Sequence, residues 1–173
     1  MKVTLYMAMA VNGIIARENN EEDFLSHYNL EVLCRLAKEF GCFIWGRKTY
    51  EVVQTWGEGY MTEEIKNAKK IVISRDAGFK VKEGYEVATS PSEALKKLAE
   101  AGFAKAILTG GSQINSAFAK EGLIDEILLN IEPVFIGKGI PLFALEDFQL
   151  NAKLVSVDRF GYGGVSLRYE VVK

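Results

Sequence analysis

The chain has 173 residues, 49% of them hydrophobic and 25% charged, with a net charge of −2. That length and balance suit one globular domain, residues 1–173, and give no basic field that would draw nucleic acid. No apolar run reaches the length of a membrane span and the opening residues carry no signal-peptide cleavage region, so the expected location is cytoplasmic.

Residues 3–11 form an apolar run broken by small residues, as in a buried strand. Asn12 and Gly13 interrupt it, and Ile14, Ile15 and Ala16 resume it. Residues 17–26 are polar without periodicity and read as a loop. Leu33, Leu36, Ala37 and Phe40 make a helical stripe that Gly41 ends. Residues 43–45, 71–73 and 85–88 are short strands. Ser90, Pro91 and Glu93 open a helix, with Ser90 as cap and Glu93 where a capping box places its acid. That helix ends near Gly102. A strand at residues 106–108, a helix ending near Gly122 and a long strand at residues 124–134 follow. The tail alternates apolar and polar on both sides of Gly161, Gly163 and Gly164, a terminal antiparallel hairpin with Val165, Leu167, Tyr169 and Val171 alternating along the edge it offers to a second copy. Alternating strands and helices closed by a hairpin predict an α/β sheet, mostly parallel, with an antiparallel edge.

Cys34 and Cys42 have no metal-ligand spacing, and no metal site is expected. His27 is the single histidine and lies near no nucleophile turn, which argues against hydrolase chemistry. The most informative stretch is Thr109-Gly110-Gly111-Ser112-Gln113, between a strand and a helix. Glycines there let backbone approach a ligand, and the helix start behind them offers free N–H groups to a phosphate. The competing reading is a plain tight turn. Gly46-Arg47-Lys48-Thr49 is a second turn of this kind, and Ser74-Arg75 ends a third strand. Ligands of open α/β sheets bind beyond the carboxyl ends of the strands. The three ends together would form a rim of N–H donors, hydroxyls and guanidinium groups suited to a pyrophosphate and a further phosphate.

These residues carry a resemblance to a known family. The chain resembles the dihydrofolate-reductase-like superfamily, most closely the reductase domain of the riboflavin-pathway bifunctional deaminase-reductase. The blocks 109–115, 122–127 and 137–143, with Pro133, look like the second half of those reductases. Gly46-Arg47-Lys48-Thr49 is similar to the phosphate turn of dihydrofolate reductase. The resemblance implies an NADPH-dependent oxidoreductase of the 5-amino-6-(5-phosphoribosylamino)uracil reductase type, acting on a small heterocycle as a homodimer. Its alternatives are a dihydrofolate or pterin reductase and a non-catalytic nucleotide-binding protein of the same fold. By the same resemblance Gly46, Arg47 and Thr49 would hold cofactor phosphates. Ser74 and Arg75 would flank the 2′-phosphate. Thr109, Gly110, Gly111, Ser112 and Gln113 would face the pyrophosphate and nicotinamide, with Ala10, Ile15 and Ala16 beside the ring. The Asp-x-Pro-x-Leu segment of riboflavin-pathway reductases and the Pro-Trp pair of dihydrofolate reductases are both missing. Glu31 is the candidate proton donor, against the reading of a helix-start carboxylate stabilised by the dipole. Asn12 would either bind substrate or shape the turn before Gly13.

Overall fold

The computed structural model describes residues 1–57, 60, 62–76 and 78–173. Its frame is an eight-stranded sheet of order β5-β4-β3-β6-β1-β7-β10-β9. The strands are β1 (Lys2–Ala10), β3 (Cys42–Gly46), β4 (Lys69–Ile73), β5 (Tyr85–Ala88), β6 (Lys105–Leu108), β7 (Glu126–Glu132), β9 (Asn151–Phe160) and β10 (Gly164–Val172). From β5 to β7 every pairing is parallel. β10 is antiparallel to both β7 and β9. The α/β fold with a mostly parallel sheet and a C-terminal hairpin is therefore as expected.

Strand alternation sorts side chains into two cores, one on each face of the sheet. On β3, Phe43 and Trp45 point to one face while Cys42 and Ile44 point to the other. The Phe43 face is covered by α1 (Tyr28–Phe40), α2 (Arg47–Val53) and α3 (Glu63–Asn67), through Val32, Leu33, Leu36, Tyr50, Val53 and Ile65. The Ile44 face is covered by α4 (Pro91–Glu100) and α5 (Ser112–Lys120), and by residues 140–150. Helix α1 ends as expected: Gly41 takes φ 71°, and its N–H donates to the Ala37 carbonyl. Helix α4 starts on Ser90, whose hydroxyl accepts from the Glu93 N–H at 3.2 Å. The capping box is displaced by one residue, because the Glu93 carboxylate accepts from the Thr89 N–H and hydroxyl at 2.7 and 2.6 Å. Those bonds hold its pKa down at about 2.

Three expectations are corrected. Ile14, Ile15 and Ala16 do not continue the first strand. They form β2 (Ile14–Ala16), which pairs with β8 (Ile140–Pro141) in a separate ribbon. The strand expected over residues 124–134 is limited to β7. The turn at Gly46 leads directly into α2, and α3 follows it. The hairpin's free edge is β9; β10 lies between β7 and β9.

Candidate active site

A cavity of about 370 Å³ opens at the carboxyl ends of β1, β3 and β6. Tyr6, Met7 and Ala8 of β1 form one wall, with Ile15 of β2. Trp45 of β3, Thr49 and Val53 of α2, Trp56 and Tyr60 form another. The loop before α1 closes it with Glu22, Leu25, Ser26 and His27, and α1 adds Asn29, Leu30 and Leu33. Thr109 completes the lining at the end of β6. The position is the one open α/β sheets use for ligands.

Beside the cavity two strand ends are laced together. The Gly46 N–H donates to the Gly110 carbonyl at 2.8 Å, and the Thr109 N–H to the Ile44 carbonyl at 2.9 Å. The Gly110–Gly111 peptide is cis, and Gly110 takes φ 90°. A Cβ on Gly110 would stand 3.1 Å from Met7 Sδ, and one on Gly111 3.1 Å from Thr49 Oγ1. These glycines therefore bring bare backbone to the place where β6 turns into α5. Ser112 opens α5 buried, and its Oγ has no hydrogen-bond partner among the described residues. An unpartnered hydroxyl at a helix N-terminus behind a glycine turn fits a phosphate acceptor.

The other expected cofactor residues fall on the same side. Arg47 is half-exposed, donates to Glu51 at 2.8 Å and lies over the Phe79 ring at 4.6 Å. Its guanidinium is 3.9 Å from Asp76, which puts it at the strand end that carries Ser74 and Arg75. Ser74 is buried and its hydroxyl accepts from the Asp76 N–H at 3.2 Å, while Arg75 and Gln113 are exposed. Ala10 and Ala16 are buried, but of the three residues expected beside the ring only Ile15 lines the cavity.

Two expected site residues lie elsewhere. Glu31 is exposed on α1, facing solvent and His27 at 3.9 Å, and does not line the cavity. One turn into a helix that buries Val32 and Leu33, position 31 points outward. Asn12 is engaged on both ends of its amide. Its Nδ2 donates to the Ile136 carbonyl at 2.7 Å, and its Oδ1 accepts from the Ile136 N–H at 3.2 Å. Asn12 thus ties the turn after β1 to the loop after β7.

The carboxylate that the cavity does hold is Glu22. It is half-buried, and burial pushes its pKa up from the ordinary range to about 7. Sequence reading missed it because residues 17–26 contain Glu18, Glu21, Glu22 and Asp23 with no periodicity to distinguish them. Asp23 has the opposite environment. It pairs with Arg17 at 2.5 Å on the surface, and those hydrogen bonds lower its pKa. Beneath Glu22 a polar network fixes the loop. Ser26 donates to Glu132 Oε1 from its N–H at 2.9 Å and its hydroxyl at 2.5 Å, and Asn29 Nδ2 donates to the same oxygen at 2.6 Å. Asn130 Nδ2 donates to Asn29 Oδ1 at 2.9 Å and to the Tyr6 hydroxyl at 3.2 Å. Ser166 of β10 donates to Asn130 Oδ1 at 2.8 Å. Among the described residues no cluster of acids, histidines or cysteines could hold a metal.

Comparison with known proteins places this geometry. Among solved structures, a putative riboflavin biosynthesis protein of Shewanella sp. PV-4 superposes with a TM-score of 0.81 at 18% identity, covering 100% of both chains. A pyrimidine reductase-like protein of Corynebacterium diphtheriae superposes with a TM-score of 0.78 at 14% identity, covering 99% of this chain and 92% of that one. The deaminase/5-amino-6-(5-phosphoribosylamino)uracil reductase of Thermotoga maritima gives a TM-score of 0.76 at 18% identity, covering 99% of this chain and 56% of that one. Two uncharacterized Bacillus subtilis proteins are similar in sequence. YyaP is 25% identical over 97% of this chain and 94% of its own, and YwjB 27% over 97% of each. The sequence pattern of the RibD C-terminal domain family runs through residues 1–166, from β1 into β10, and the chain belongs to that family.

Proposed function

We propose that this protein is an NADPH-dependent reductase of a small nitrogen heterocycle, working as a homodimer in the cytoplasm. The observation that carries the reading is the junction of β6 and α5. There the Gly110–Gly111 backbone and the unpartnered Ser112 hydroxyl stand beside an aromatic-walled cavity. NADPH bound there supplies a hydride. Gly46, Thr49, Thr109, Gly110, Gly111, Ser112 and Gln113 hold its pyrophosphate. Arg47, Ser74 and Arg75 meet the adenosine 2′-phosphate, where charge-assisted hydrogen bonds favour NADPH over NADH. Ile15 keeps the nicotinamide side of the cavity apolar, and Ala10 and Ala16, both buried, belong to the same side. The cavity walls position the acceptor carbon and exclude water, which is most of what hydride transfer asks of a protein. Family membership favours a riboflavin-precursor-like pyrimidine as acceptor. A pterin-like acceptor is the second reading, favoured by the acid inside the cavity.

Titration of both cofactors by fluorescence tests the proposal. NADPH should bind at least tenfold more tightly than NADH, and Arg75→Ala should erase most of that difference while leaving NADH unchanged. Equal affinities for the two cofactors would remove the cofactor assignment.

A further inference from the structure

The lining of the cavity is unequal in charge. Among its described residues it has one carboxylate, Glu22, and no lysine or arginine. Its walls are Trp45, Trp56, Tyr6 and Tyr60, with Leu25, Leu30 and Leu33. Trp45 is fully buried, and its indole N–H has no acceptor among the described residues. A phosphate drawn into such a place would lose its water without gaining a cation, and would face an acid instead. A flat, uncharged ring would stack on the aromatic walls, accept from the Trp45 N–H and meet Glu22 with a ring nitrogen. About 370 Å³ suits one or two fused rings.

We infer that this cavity takes a planar nitrogen heterocycle without a phosphate group, and that Glu22 is the catalytic residue that contacts the ring nitrogen and gives it a proton. The inference rests on the hydride-transfer reading for its proton step, and on the cavity alone for its substrate class. In the step, a substrate C=N bond is reduced. Its carbon takes the hydride from the dihydronicotinamide, its nitrogen takes the Glu22 proton, and the π pair becomes the new N–H bond. NADP⁺ leaves and water returns a proton to Glu22.

The surroundings of Glu22 support a proton held near neutrality. The titratable groups that line the cavity with it are Tyr6 of β1, His27 before α1 and Tyr60 before α3. Burial raises the pKa of Tyr6 and Tyr60, so both stay neutral, and the nearness of Glu22 adds to the shift at Tyr60. Arg17, the cation nearest to Glu22 along the loop sequence, is committed to Asp23 at the surface. Glu22 therefore keeps its proton to about pH 7, the range in which a general acid is most effective.

The test uses 7,8-dihydropterin, whose ring C=N bond is the one reduced, for binding and turnover, and ribosylaminouracil with its 5′-phosphate, two compounds with the same base, for binding. Binding to the NADP⁺-loaded protein is read from quenching of Trp45 and Trp56, and turnover from NADPH oxidation between pH 5 and 9. The phosphate-free compounds should bind at least as tightly as the phosphate, within threefold. Glu22→Gln should weaken their binding about tenfold. In the wild type kcat/KM should fall above about pH 7. In Glu22→Gln kcat should drop roughly 10²–10⁴-fold and the falling limb should vanish. Glu22→Asp should recover part of the rate, which a merely structural role would not do. Tenfold tighter binding of the phosphate, or failure of all three compounds to bind, would overturn the substrate class. A pH profile unchanged in Glu22→Gln would overturn the proton donor. Glu22-dependent binding without NADPH oxidation would overturn the reductase reading and the proton step, and leave the substrate class standing.

Discussion

Glu132 is buried, and a single oxygen of its carboxylate accepts from the Ser26 N–H, the Ser26 hydroxyl and the Asn29 amide. Ser26 and Asn29 line the cavity, and Glu22 sits four residues before Ser26 on the same loop. Truncating Glu132 would take this shared acceptor from Ser26 and from the buried Asn29 amide, at about 1–3 kcal/mol. For a domain of this size Glu132→Ala should lower the unfolding midpoint by roughly 3–10 °C. Scanning calorimetry reads this directly, and an unchanged midpoint would mean that water replaces the carboxylate at no cost. Glu22 acts in the opposite sense. Its folded-state pKa is raised, so its contribution to stability is present below the ordinary glutamate pKa and is lost as pH rises through about 7. Glu22→Gln, with no charge to bury, should keep its midpoint across that window while the wild type loses some.

At the scale of elements, what could be read in advance followed periodicity. Helices α1, α4 and α5 announce themselves by apolar spacing and by their ends: Gly41, Ser90-Pro91 and the Gly110-Gly111 pair. Helices α2 and α3 are seven and five residues long, too short for a stripe to stand out. They are held by tertiary contacts, such as the Tyr50 hydroxyl accepting from the Lys82 N–H at 3.0 Å and buried Lys70 donating to the last carbonyls of α3. The two-residue strand β8 exists only because β2 lies against it, 126 positions earlier at Ile14. The glycine turns were legible for the same local reason, whereas Glu22 was not, since a loop acid becomes special only through what folds over it. Gly111 joins the two kinds of information. A Cβ there would press on Thr49 Oγ1 at 3.1 Å, a contact at which the neighbour has to shift a little. Gly111→Ala should fold, with normal far-ultraviolet circular dichroism, and bind NADPH at least tenfold more weakly. Normal affinity in the folded variant would make the turn purely structural.

Across the whole molecule, one surface is left in a form that water does not favour. The β9–β10 register sets Leu154 beside Tyr169, Val157 beside Leu167 and Ala152 beside Val171. These six side chains lie on one face of the hairpin, because strand residues two apart share a face and the shift beside Tyr169 absorbs Val155. Tyr169 and Val171 continue the core beneath α4 and α5. On β9 that core runs out: Leu154 is 49% exposed and Val157 55%. The opposite face carries Lys153, Ser156, Asp158, Arg168 and Glu170 and is at ease in solvent. An apolar row on an edge strand invites a partner, and a second copy brings the same row by two-fold symmetry. The expected contact is thus the face of β9 beside β10, rather than an edge formed by Val165, Leu167, Tyr169 and Val171, which β9 already flanks. Light scattering at micromolar concentration should give about twice the 19.2 kDa chain mass. Leu154→Lys with Val157→Lys should reduce it to one chain without loss of circular dichroism, since neither residue is needed for the inner sheet. A monomeric wild type, or a double variant that stays dimeric, would show that this face is covered by something other than its own copy.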